Sequence, residues 1–472
     1  MMASTLPPYD PWLSSTVAFD VMLATRARAP ALAARASQRL ASLLEHASRR
    51  SPLVRRMLDG RDPATTTLSA LPATRKRDLM AAFEDWVGDP EVERAQLRRF
   101  LADPTRIAEP YVGRYLAWES SGSSGEPAMF LQDARALAVY DALEALRRPS
   151  SSGPRQWLDP WGIADSTVFV GATDGHFASN VSIERLRRLN PLLRDRVHAL
   201  SFLQPIEHLC RALEMRRPSI VATYPTQAVL LAEEQMAGRL KIAPHEIWTG
   251  GETLTPSMRR AVQSAFACPV VNSYGASEFL AIASDCSHGR LHLNSDWVIL
   301  EPVDDEGRAV ERGTTGSTTL LTNLANHAQP LIRYDIGDRV AIAKETCACG
   351  SHLPVIDVQG RCDDILRLRG AHGAAVTVLP LAVGTVLEEE AGLFDFQLLQ
   401  RAGDRLELRS GLRSGDAEQA LRRARTALAG FLSRLGAHGV HIECHAGEPM
   451  SVGRSGKIPR IMVATRGAPA HR

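Results

Sequence analysis

The sequence predicts an α/β protein: a large N-terminal domain with a mostly parallel βαβ sheet and a β-rich subdomain, then a small α+β C-terminal domain. Three observations predict it. From about residue 165, short apolar β-branched runs alternate with helical stretches, the pattern of βαβ units. Residues 295–343 read as β-rich. Beyond Gly360, a unit of roughly a hundred residues carries its own strand–strand–helix–strand pattern.

Residues 31–58 are expected to be helical, with Leu40, Leu43, Leu44 and Ala47 on one face and Pro52 stopping the pattern. Residues 51–118 mix short helices with Asp-Pro and Pro-Ala turns. A helix over 133–148 ends at Pro149 and an SSSG stretch. Strands are expected at Thr167–Val170, Ile220–Thr223, Glu246–Thr249 and Val270–Ser273, and helices at 206–216, 226–237 and 256–266. Ligands of parallel sheets bind beyond the carboxyl ends of the strands. The loops of interest therefore follow Val170 and Thr223, and include Thr249-Gly250-Gly251-Glu252 and Ser273-Tyr274-Gly275. The β-rich subdomain covers about 290–350, with strands near Trp297–Val303 and Thr318–Thr322. A boundary near Gly360 divides the chain into domains 1–359 and 360–472. The second holds strands at Phe396–Gln400, Arg405–Arg409 and Val440–Glu443 and a helix over 415–434.

The 472 residues suit two or three domains. Fifty-five Lys plus Arg against 53 Asp plus Glu leave a net charge of +2, too balanced for a dedicated nucleic-acid binder. No apolar run reaches the roughly 18–20 residues of a membrane span. The N-terminus, MMASTLPPYDPWLSS, lacks the basic start and apolar core of a secretory signal. Seven cysteines, an odd number spread along the chain, argue against a disulfide framework and for a reducing cytoplasm. Cys210, Cys268, Cys362 and Cys444 stand alone and read as small buried hydrophobes.

Ser120-Ser121-Gly122-Ser123-Ser124-Gly125-Glu126-Pro127 is a run of small and hydroxyl-bearing residues. Such a loop lets backbone N–H groups approach phosphate oxygens. It resembles the S-S-G-T-T-G-K-P loop of adenylate-forming enzymes. Five further segments resemble that superfamily, in its order: Gly250-Gly251-Glu252, Tyr274-Gly275-Ala276-Ser277-Glu278, Arg333-Tyr334-Asp335-Ile336-Gly337-Asp338, Gly360-Arg361-Cys362-Asp363-Asp364 and Ser455-Gly456-Lys457-Ile458-Pro459-Arg460. The nearest branch is the phenylacetate–CoA ligase group and its less characterised relatives, whose N-terminal helix ASQRLASLLEHASRRSPLVRRML resembles.

The resemblance implies ATP-dependent activation of an aryl or other hydrophobic carboxylic acid as an acyl-adenylate, followed by transfer to coenzyme A. It assigns the Ser120–Gly125 loop to the β- and γ-phosphates and Tyr274 to adenine stacking, with Gly275 beside it. Gly251 and Glu252 line the adenine side, and Ser277 touches the α-phosphate. Glu278 helps hold Mg²⁺, Asp338 accepts from the ribose hydroxyls, and Arg361 reaches the nucleotide. Lys457 bridges the substrate carboxylate and the α-phosphate. Asp363 matches the hinge of a mobile C-terminal lid, and the family admits a homodimer. Because the first step joins two anions, charge neutralisation and positioning should dominate catalysis. Thr173-Asp174-Gly175-His176-Phe177 follows a strand, where His176 or Phe177 gates the acyl site or forms a packed turn.

Cys347-Ala348-Cys349-Gly350 and Cys286-Ser287-His288-Gly289-Arg290-Leu291-His292 supply two pairs of ligands for a closed tetrahedral zinc site. Within the resemblance the pattern assigns Cys286, His292, Cys347 and Cys349 to a structural Zn²⁺, with His288 as the alternative to His292. The chain also departs from the family. Glu126 stands where the loop lysine is usual, Ile336 replaces a threonine, and Arg369-Gly370-Ala371-His372-Gly373 lacks the usual V-N-V-F-P continuation. An amine or carrier-protein acceptor, and a nucleotide-binding protein without catalysis, therefore stay open beside the CoA ligase.

Overall fold

The computed structural model describes residues 6–120, 127–148, 165–173, 175–202, 204–361, 365–370, 375–378, 380–401, 404–412, 417–447, 450 and 459–463. The chain opens with helices α1 (Pro11–Thr25), α2 (Ala29–Arg50) and α3 (Pro52–Leu58). The single helix expected over 31–58 is thus two. Ser51 is extended, and its hydroxyl accepts from the Val54 N–H and donates to the Asp85 carbonyl. Pro52 starts the second helix as well as stopping the first, because proline is tolerated at the first helical position. Short helices α4 (Lys76–Ala81), α5 (Phe83–Val87) and α6 (Arg94–Leu101) follow.

Strands β1 (Leu116–Glu119) and β2 (Met129–Gln132) form an antiparallel pair, and β2 leads into α7 (Ala134–Arg147), capped by the Asp133 carboxylate. The chain then alternates: β3 (Thr167–Gly171), α8 (Ala178–Leu189), β4 (Val197–Ser201), α9 (Ile206–Arg216), β5 (Ile220–Thr223), α10 (Pro225–Met236), β6 (Glu246–Gly250), α11 (Pro256–Phe266) and β7 (Val270–Ala276). Val168, Val170, Val221 and Ile247 are buried beneath Leu209, Leu213, Val229, Met258 and Val262, the burial pattern of a sheet covered by helices. Sequence patterning missed α8 and β4. Arg185 in α8 is buried against Asp141, and β4, at the sheet edge, is only half-buried, so neither presents a clean apolar period.

After β7 the chain reverses into β8 (Phe279–Asp285) and β9 (Leu291–Leu293), then β10 (Val298–Val303), β11 (Thr318–Asn323) and β12 (Tyr334–Asp335). Strands β13 (Asp338–Ile342) and β14 (Val355–Arg361) complete the large sheet, whose order is β13-β14-β9-β8-β7-β6-β5-β3-β4. Its β7-to-β4 half is parallel and its β13-to-β7 half antiparallel. Of the β-rich stretch, only β10, β11 and β12 form a sheet of their own.

The C-terminal part contains the hairpin β15 (Leu366–Arg369) and β16 (Ala375–Val378). Helix α12 (Pro380–Thr385) continues into a wider π-helical turn over Val386–Glu390. Strands β17 (Gln397–Gln400), β18 (Arg405–Ser410), β19 (His441–Ala446) and β20 (Ile461–Val463) form a sheet in the order β19-β18-β17-β20, alongside α13 (Ala417–Arg434). Leu421, Ala424, Leu428 and Leu432 repeat at helical spacing and meet Leu398, Leu406 and Leu408. Leu428→Ala should destabilise this part by about 2–5 kcal/mol. Calorimetry should show an early partial transition, with the large sheet melting as in the parent protein.

Candidate active site

The segment expected to hold phosphate joins β1 to β2. The Ser120 N–H donates to the Ala128 carbonyl at 2.8 Å, and the Ala128 N–H donates to the Ser120 hydroxyl oxygen at 2.9 Å. These two bonds close a neck and leave the Ser120 O–H to donate elsewhere. Ser121, Gly122, Ser123, Ser124, Gly125 and Glu126 lie outside the described residues. Two neighbours brace the neck. Trp118 Nε1 donates to the Ser277 carbonyl at 2.9 Å, and the Glu119 N–H donates to the His176 carbonyl at 2.9 Å.

The β7–β8 hairpin carries the next group. Its register shifts between Tyr274 and Ala276, and a Cβ on Gly275 would stand 1.9 Å from the Leu280 carbonyl oxygen. Only glycine fits that approach. The Tyr274 hydroxyl donates to Asp338 Oδ2 at 2.6 Å, and Arg361 Nη1 donates to Asp338 Oδ1 at 3.2 Å. Three segments distant in sequence therefore meet at one carboxylate. Burial, with Asp338 close by, holds the Tyr274 phenol protonated far above its ordinary range.

Four residues further along the hairpin, burial pushes the Glu278 carboxyl above the usual carboxylate range, although the Tyr334 hydroxyl bonds to it. The Asn323 amide donates to the Glu278 carbonyl at 2.9 Å and to the Tyr140 hydroxyl at 3.0 Å. Asn323 and Tyr334 received no role from the sequence. Tyr334 sits inside the R-Y-x-x-G-D segment, which was a usable signal; Asn323 lies at a strand end with none.

Gly251 has a positive φ of 77°, which turns the chain after β6. Glu252 Oε2 then accepts from the Thr226 N–H at 3.2 Å and the Thr226 hydroxyl at 2.7 Å, at the start of α10. An anion there meets unpaired N–H groups and the helix dipole. Glu252, expected with Gly251 to line adenine, is thus engaged with the start of α10.

His176 requires a correction. Its ring is fully buried, Nε2 lies 2.9 Å from the Asp103 carbonyl, and the ring packs 5.4 Å from Phe100. It is part of the packed turn, while Phe177, half-buried at the start of α8, keeps an edge toward solvent. Lys457 and Asp363 lie outside the described residues. Arg460, at the end of the lysine segment, is described and is anchored in the C-terminal sheet, its carbonyl accepting from the Leu398 N–H at 2.7 Å.

Cys286, His292, Cys347 and Cys349 converge, with ligand atoms within 4.8 Å of one another. The Cys286 and Cys347 sulfurs are 3.7 Å apart, and Cys349 Sγ is 3.4 Å from His292 Nε2. A tetrahedron of Zn–S and Zn–N bonds requires edges of about 3.8 and 3.6 Å. His292 Nδ1 lies 2.8 Å from the Leu353 carbonyl, which fixes the tautomer that leaves the Nε2 lone pair toward the cluster. The Cys349 backbone N–H pulls the Cys347 thiol down to about 6, toward the thiolate a metal needs. His288 is exposed and is not one of the four converging ligands; its backbone N–H donates to Cys286 Sγ at 3.4 Å.

The architecture matches the fold of adenylate-forming ligases of known structure. No family model matches the sequence. The chain is a homologue of phenylacetate–coenzyme A ligase from Thermus thermophilus, 26% identical over 367 residues that cover 74% of each chain. Protein CapK of Staphylococcus aureus is 29% identical over 159 residues, 33% of each chain. Among solved structures, 2-hydroxyisobutyryl-CoA ligase in its postadenylation state, bound to R3-HIB-AMP, superposes with a TM-score of 0.67 at 20% identity, over 91% of this chain and 89% of that one. The same ligase in its thioesterification state, bound to 2-HIB-AMP and CoA, gives 0.53 at 20% identity, over 93% and 91%.

Two outcomes follow. Gly275→Ala should destabilise the protein by about 1–3 kcal/mol, read by urea denaturation, because the new methyl overlaps a backbone oxygen. Glu278 has a raised folded-state value, so its favourable contribution is present at low pH and lost as pH rises through that value. Glu278→Gln should therefore raise the melting temperature of the ligand-free protein at neutral pH but not at acid pH, in thermal scans across pH.

Proposed function

We propose that this chain activates a carboxylic acid with ATP and passes the acyl group to coenzyme A. The observation that carries the reading is the meeting of Tyr274, Asp338 and Arg361 at one carboxylate, beside Glu278 and the phosphate-loop neck. Homology to a phenylacetate–coenzyme A ligase over 74% of the chain supports it. A carboxylate oxygen attacks the α-phosphorus, the bond from that phosphorus to the β-bridging oxygen breaks, and pyrophosphate leaves. The thiol sulfur of coenzyme A then attacks the acyl carbon, and AMP departs as its carbon–oxygen bond breaks.

In this reading Tyr274 stacks on adenine and Asp338 accepts from the ribose. Ser120 and the loop after it hold the polyphosphate. Glu278 is the ligand for Mg²⁺, a hard cation that would neutralise phosphate charge. Lys457 neutralises the substrate carboxylate and α-phosphate from a C-terminal lobe, 360–472, that moves on a hinge at Asp363. Phe177 borders the acyl pocket, whose occupant is an aryl or other hydrophobic acid. The Cys286–His292–Cys347–Cys349 cluster holds a structural Zn²⁺, since four protein ligands leave no position open for substrate. Its free thiols suit a reducing cytoplasm, and no described helix is long and apolar enough to cross a membrane.

Acid-dependent exchange of labelled pyrophosphate into ATP, run across aromatic and fatty acids, tests the reading. Exchange with one acid class, followed by CoA consumption of the adenylate, is the expected result. The altered segment Arg369-Gly370-Ala371-His372-Gly373 favours an amine or carrier protein as the second reading; those acceptors, and not CoA, would then consume the adenylate. ATP binding without exchange for any acid would mark a protein without catalysis. Lys457→Ala should lower exchange by about 10²–10³-fold and spare thioester formation from preformed acyl-adenylate. Metal analysis should find one zinc per chain. Cys347→Ser with Cys349→Ser should lose that zinc and lower the melting temperature.

A further inference from the structure

One buried carboxylate sits in the seam between the N- and C-terminal parts. Glu388 lies in the π-helical turn after α12, and its side chain is fully buried. Its Oε2 accepts from the Thr255 hydroxyl and, at 2.5 Å, from the Ser257 hydroxyl. Thr255 is the cap of α11, three residues after Glu252, so these hydroxyls stand just past the Gly250-Gly251-Glu252 loop. The other oxygen, Oε1, accepts from Arg460 Nη1. Arg460 also donates to the Phe394 carbonyl at 3.1 Å and lies over the Phe396 ring at 4.0 Å. Arg460 is three residues beyond Lys457.

Glu388 therefore links the segment after the adenine-side loop to the segment that carries the tail lysine. Its neighbour Glu389 crosses the same seam to Arg260 at 3.1 Å, while Glu390 pairs with Arg434 of its own part at 3.1 Å. A buried ionised carboxylate persists only where it is paired and hydrogen-bonded. Arg460 belongs to the same part as Glu388 and would travel with it. The two hydroxyl bonds cannot survive a rotation of one part against the other. The ion pair is thus internal to the C-terminal part, and the hydroxyl bonds are the ones that cross the seam.

We propose that Glu388 is a positioning residue for adenylation: with Arg460 it braces the C-terminal sheet, and its bonds to Thr255 and Ser257 hold that part against the segment after the Gly250-Gly251-Glu252 loop during adenylation and release it for the thioester step. The proposal rests on the adenylating reading above. In the full-length protein, Glu388→Gln should lower pyrophosphate exchange about tenfold or more, a difference of roughly 1.4 kcal/mol per tenfold. Thioester formation from preformed acyl-adenylate should be unchanged or faster. Ser257→Ala, which keeps the Thr255 cap and the ion pair, should show the same split more weakly and guards against misfolding of the first variant. Equal loss in both half-reactions, or no loss in either, overturns the proposal. If the parent protein exchanges pyrophosphate with no acid, the functional reading fails by itself. The seam is then judged by hydrogen exchange: faster exchange over 255–266 in Ser257→Ala sustains the coupling of the lobes, and an unchanged rate there refutes it.

Discussion

The site depends on a reversal of the chain that only a residue without a side chain permits. Between β7 and β8 the large sheet changes from parallel to antiparallel, and the Gly275 backbone passes against the Leu280 carbonyl. That hairpin presents Tyr274, Ser277 and Glu278 together at the carboxyl end of β7, the end at which parallel sheets bind their ligands. Tyr274 then finds Asp338 at the start of β13, and Asp338 finds Arg361 at the end of β14. The antiparallel half of the sheet thus carries the groups that face the groups on the parallel half.

A second framework ties the phosphate-loop neck to the hairpin through buried amides. Gln329 pairs with both the Leu131 N–H and the Met129 carbonyl, and the Asn326 amide donates to Leu131 and Gln132. These side chains take the place of a neighbouring strand along β2. Asn323 extends the chain of bonds to Tyr140 and to the Glu278 carbonyl. A fully satisfied buried network of this kind rigidifies what it touches. Glu278 is held in position from its backbone, so its carboxylate can remain in an environment that disfavours charge.

Sequence reading succeeded where the physical signal is local. The β-branched runs of β3, β5, β6 and β7 and the proline-started helices α10 and α11 fell within a residue or two of their expected bounds, except where β7 runs on into the hairpin. The convergence of Cys286, His292, Cys347 and Cys349 was expected from the sequence, with His292 preferred to His288, because thiols and imidazole in paired spacings have few other uses. His176 was left open between a gate and a packed turn because a histidine after a strand looks the same in sequence whether it faces a cleft or a core. Burial against Phe100 and the Asp103 carbonyl settled it. Glu388 carried no signal at all, being the first of three consecutive glutamates whose partners lie in different elements.

By itself, the sequence determined most of the elements of the parallel half, their order and the chemical identity of the groups on the loops, because propensity, periodicity and glycine requirements act over a few residues. Tertiary structure alone decided which carboxylates are paired and which helix end receives Glu252. It also decided which strands of the β-rich stretch join the main sheet and which acid bridges the seam. Those outcomes depend on desolvation and on contacts between residues far apart along the chain. Both arise only when the fold brings the partners within hydrogen-bonding reach and excludes water from between them.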